Sequence, residues 1–69
     1  MSELRKKVLD EIDSLYRFVN DDTNLQNNLK ILYDYVGNEK NLKDDQDIRI
    51  FLYTNKDHVA IKPYSNIDD

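Results

Sequence analysis

Along this chain the apolar positions run twice at helical spacing and then switch to alternation, and these changes divide it into elements. Leu4, Val8, Ile12, Leu15 and Val19 recur every three or four residues, with Leu9, Tyr16 and Phe18 beside them. The opposite arc holds Lys6, Lys7, Asp10, Asp13, Ser14 and Arg17, so the spacing predicts an amphipathic helix of about five turns. Ser2 suits its N-cap and Glu3 its first turn, where a carboxylate meets the positive end of the helix dipole. Asp13 and Arg17 stand in the favourable i, i+4 order. The apolar arc takes about half the circumference, so this helix is expected to touch two neighbours rather than one.

Asn20, Asp21, Asp22, Thr23 and Asn24 form a polar break rich in residues that cap a following helix. Such an oxygen-rich run invites a calcium reading, but it lacks the glycine and distal glutamate of an EF-hand loop, and capping is the expected role. The short break predicts an antiparallel helical hairpin. The second helix is expected from about Asn24 to Val36, with Leu25, Leu29, Leu32, Tyr33 and Val36 as its core stripe. Gly37, the sole glycine, suits the left-handed conformation that often closes a helix. Ile31 and Tyr35 lie one turn apart on the far side of this helix, beside Asn27 and Asn28. An apolar pair facing away from the main stripe must be covered by another element or by a partner chain.

From Asn38 to Asp47 only Leu42 is apolar, which predicts a connecting loop pinned to the core by that residue. The period then becomes two. Ile48, Ile50 and Leu52 would face one side of a strand and Arg49, Phe51 and Tyr53 the other. Asn55 and Lys56 would form the turn. In a second strand Val59 and Ile61 would face one way, and His58, Ala60, Lys62 and Tyr64 the other. Pro63 marks the second strand as an edge, whereas the first has no such guard and exposes a β-prone margin. The expected fold is therefore α+β, an antiparallel helical hairpin packed on a C-terminal β-hairpin in the order ααββ. Residues 1–64 form a single domain and 65–69 an acidic tail. Pairing of first strands from two chains into a four-stranded sheet would make a homodimer.

Composition narrows the function more than it changes the fold. Sixty-nine residues make one small domain that buries about 60% of its unfolded surface, near the lower limit for folding alone. Without cysteine there is neither a disulfide framework nor a thiolate zinc site, and a single histidine supports no histidine metal cluster. No metal or other cofactor is expected. No apolar run approaches the ~20 residues of a membrane span, and the N-terminus lacks the apolar core of a signal peptide, so a cytoplasmic protein with no membrane role is expected. The net charge of −4 is unevenly spread. Residues 21–47 carry seven acids against three lysines, and the stretch 48–64 is cationic through Arg49, Lys56 and Lys62.

Catalysis finds little support in these residues. Nucleophilic chemistry needs a base beside its nucleophile and an oxyanion site, and His58 has neither a cysteine nor a glycine-rich loop to work with. No glycine-rich phosphate loop is present, so the protein is not expected to be an enzyme. The candidate surface is the aromatic and basic hairpin face made by Arg49, Phe51, Tyr53, His58, Lys62 and Tyr64, with Ile31 and Tyr35 as a second patch. Tyr, Phe and Arg are the types enriched at interface centres. The expected function is a small non-enzymatic regulator or inhibitor acting on another protein, a setting that suits an accessory or mobile-element protein. Two alternatives use other chemistry. The same face could stack single-stranded nucleic acid, or the acidic patch of Asp44, Asp45 and Asp47 could mimic nucleic-acid charge and block a DNA- or RNA-binding protein.

Overall fold

A computed structural model describes residues 2–55, and these form three helices: α1 Glu3–Phe18, α2 Thr23–Gly37 and α3 Asp45–Thr54. Among the described residues there is no strand. The first two helices match the expected helical hairpin. Ser2 caps α1, its Oγ accepting the Arg5 N–H at 3.0 Å, and Glu3 and Arg17 complement the dipole at the two ends. Asp22 caps α2 by accepting the Leu25 N–H at 3.0 Å. The Gln26 side chain donates to the Tyr16 carbonyl at 3.1 Å and so ties the start of α2 to the last turns of α1.

Leu4, Val8, Leu9 and Ile12 of α1 interdigitate with Leu29, Leu32 and Val36 of α2, and Leu42, Ile48 and Leu52 complete the buried core. The broad apolar arc of α1 does meet two neighbours, because α2 packs along it and α3 also rests against it. The surface arc behaves as its polarity dictates. Asp13 and Arg17 form an exposed ion pair at 3.3 Å, a contact worth a few tenths of a kcal/mol.

The first correction concerns Gly37. Its φ is not positive; it is simply the last residue of α2, with extended Asn38 as the cap. A methyl group placed on it would meet Leu9 at 3.8 Å, an ordinary contact, so neither backbone conformation nor close approach demands glycine there. Tyr33, expected in the core stripe, is 42% exposed, because it stands at the margin of the stripe rather than at its centre.

The larger correction is the C-terminal element. Residues 45–54 are helical, so the expected ααββ order and α+β class do not hold, and the first strand of the expected hairpin does not exist. Asp44 caps this helix by accepting the Asp47 N–H at 2.9 Å, while Asp47 accepts the Lys43 N–H at 3.0 Å. The exchange resembles a capping box displaced by one residue. Asp45 and Asp47 sit in the first turn, where negative charge stabilises a helix. Ile48 and Leu52, both at 0% exposure, are one turn apart, and half-buried Phe51 packs beside them. Helical spacing thus uses the same apolar letters as the alternation Ile48, Ile50, Leu52, but leaves Ile50 outside. Asn55, expected in a hairpin turn, closes α3 instead, with its backbone N–H and its side-chain amide both donating to the Phe51 carbonyl, at 3.0 and 2.8 Å. Without a strand at 48–53, two chains cannot dimerise by pairing those strands. The expected second strand and the acidic tail lie outside the described residues.

Leu42 pins the α2–α3 connection, as its solitary position in a polar segment implies, and is buried. The residue that orients the connection is Arg5, only 3% exposed. Its guanidinium donates to the Val36 carbonyl at 2.6 Å and to the Leu42 carbonyl. One of these lies in the final turn of α2, where carbonyls lack helical partners and the dipole is negative, so the site favours a buried cation. A planar fork reaching two carbonyls holds the end of α2 and the second half of the α2–α3 loop to the first turn of α1.

Candidate functional site

Changing the period from two to 3.6 redistributes the expected binding face. Residues two apart share a side of a strand, but on a helix they lie about 160° apart. Arg49, Phe51 and Tyr53 therefore do not form one face. Phe51 turns towards α2, where its ring stacks on Tyr35 with centroids 5.0 Å apart and planes 26° from parallel. This stack joins two side chains from what were expected to be separate patches. Ile31, one turn before Tyr35, stays 67% exposed.

Arg49 and Tyr53, one turn apart, point to the other side of α3. Together with Gln46 and Ile50 they line a shallow hollow. Ile50 is 56% and Tyr53 59% exposed, so an aliphatic and an aromatic side chain lie next to each other at i, i+3 on the outer side of α3. In a strand Ile50 would have been core. On α3 it is the centre of an outward apolar stripe, since the buried side is already supplied by Ile48 and Leu52. His58, Lys62 and Tyr64, the remaining members of the expected face, lie outside the described residues.

The acidic patch proves to have structural work. The carboxylates of Asp44 and Asp47 accept backbone N–H groups at the start of α3, and half-buried Asp45 lies in the same first turn. Among the described residues no group of three His, Cys, Asp or Glu side chains is placed to hold a metal ion.

One feature was not anticipated from the pattern of residues. A groove of about 300 Å³ runs between α1 and α2, floored by Ile12 and Leu29 and bordered by Tyr16 and Tyr33, with Asp13 and Asp34 on its two rims. Lys30 also lines it. The sequence signal was the placement of each tyrosine three residues from a charged one, Asp13 before Tyr16 and Lys30 before Tyr33. That spacing puts each ring at the edge of its apolar stripe, where it can border a groove rather than fill a core.

No protein-family model matches the chain, and neither a curated protein nor a solved structure does so. None of the three helices is long and apolar enough to cross a membrane.

Proposed function

We propose that this protein is a small non-enzymatic binding protein that regulates or inhibits another protein, and that the outer face of α3 is its contact surface. The observation that carries this reading is the adjacency of exposed Ile50 and Tyr53 around a hollow shared with Arg49. A buried element would turn such side chains inward, and α3 already buries Ile48 and Leu52 without them. Tyr and Arg beside an aliphatic residue make the composition of an interface centre. The helix is short and carries apolar residues on both its inner and outer sides, so a partner groove could accept its outer pair as anchors at i and i+3.

The residues 49–53 do not form the row of stacking rings and cations on which a sheet platform for single-stranded nucleic acid depends, which leaves protein recognition as the favoured use of this element. The test is affinity capture from the native cell with wild-type protein, Ile50→Glu with Tyr53→Ala, and Asp10→Ala on the solvated arc of α1. The expected result is a partner held by wild type and by Asp10→Ala but lost by the α3 variant; a partner retained by all three would remove α3 from the interface. Self-association through the same face is the competing arrangement. Sedimentation decides it, since a dimer of the wild type that becomes a monomer in the α3 variant assigns the face to a second copy.

A further inference from the structure

We propose that the groove between α1 and α2 is a second binding site, and that it receives an arginine side chain presented by a partner protein. The claim is independent of the α3 face, since no residue of α3 lines the groove. About 300 Å³ is at the lower end of small-molecule pockets, a size that suits one long side chain rather than a folded cofactor. Its lining is ordered by chemistry. Buried Ile12 and Leu29 form the floor, and Tyr16 and Tyr33 border it from opposite helices together with Asp13 on α1 and Asp34 on α2.

Opposed there by the cation Lys30, an arginine matches the aliphatic, aromatic and carboxylate parts of that lining. Its methylene stem lies against aliphatic carbon; its planar guanidinium stacks on tyrosine and donates to carboxylate. A lysine offers only the charge, and an uncharged aromatic guest forms no ion pair with either carboxylate. Two basic residues of the protein already compete for the site. Arg17 pairs with Asp13 at 3.3 Å, and Lys30 lines the groove one turn before Asp34. The competition makes the proposal directional, because removing either native cation must strengthen binding of an added one, whereas removing either carboxylate must weaken it.

The experiment is an NMR titration of the full chain with N-acetyl-arginine amide and, as its neutral isostere, N-acetyl-citrulline amide. Arginine is expected to shift the amide resonances of residues 12–16 and 29–34, and citrulline to leave them in place. Asp13→Asn and Asp34→Asn should each weaken arginine roughly two- to fivefold, the loss of one exposed ion pair, while Lys30→Gln and Arg17→Gln should strengthen it by a similar factor. These four side chains lie outside the core, and the cation variants test the site even if a carboxylate variant fails to fold. Equal shifts from arginine and citrulline, shifts centred on residues 46–53, or no strengthening on removal of Lys30 and Arg17 would overturn the assignment.

Discussion

Arg5 carries its charge into the core of a very small protein and meets two backbone carbonyls there. A buried ion is costly to desolvate, so its retention has to rest on what the fork connects: the last turn of α2 at Val36 and the loop at Leu42. Arg5→Ala would leave both carbonyls unsatisfied as well as removing the charge-assisted bonds, and a loss of roughly 3 kcal/mol is expected. Lysine retains the charge but has no planar fork, so Arg5→Lys should fall between the two. Urea unfolding of the three proteins measures this. A change below about 0.5 kcal/mol in Arg5→Ala would show that the connection is held without the guanidinium.

For α3, helix and strand make opposite demands on two residues, which separates them cleanly. On an exposed helical position alanine is a better former than isoleucine by a few tenths of a kcal/mol, so Ile50→Ala should leave the midpoint of thermal unfolding unchanged or slightly raised. In a hairpin with Ile50 facing the core, the same change would cost about 2–5 kcal/mol. Asp44→Ala, by contrast, removes the N-cap that accepts the Asp47 N–H and is expected to cost about 1 kcal/mol, visible as a lower midpoint. Of the two variants, only Asp44→Ala should lower the midpoint. An Ile50→Ala protein that melts far below wild type would place that residue in a core.

At the scale of the molecule, the connections are short and each helix rests on one adjacent to it along the chain or packed on α1. Contacts made mainly between neighbouring segments require little loop closure, and helical proteins of this kind fold in microseconds to milliseconds. Temperature-jump relaxation by infrared absorption of the helical amide band should therefore be complete within about 10 ms. Loss of most of the helical signal only over seconds would contradict a bundle assembled from these three helices. The Tyr35–Phe51 stack adds a direct contact between α2 and α3, both of which also touch α1.

Sequence by itself determined the helical hairpin, through the 3.6-residue stripe from Leu4 to Val19, the cap at Ser2 and the solitary Leu42, while the break at 20–24 offered several caps for α2 and the structure selected Asp22. Local chemistry also contained the start of α3, in the acids from Asp44 to Asp47, but the alternation of Ile48, Ile50 and Leu52 competed with it, and six residues are too few for period alone to choose between 2 and 3.6. Tertiary packing decided that choice, because the core offered by α1 and α2 needed a narrow pair at i, i+4, and Ile48 with Leu52 fill it. The burial of Arg5, the separation of Phe51 from Tyr53 and the groove bordered by Tyr16 and Tyr33 all follow from how helices lie against one another. Such contacts join residues tens of positions apart, as from Arg5 to Leu42, and a one-dimensional pattern holds no record of which distant carbonyl or ring a side chain will meet.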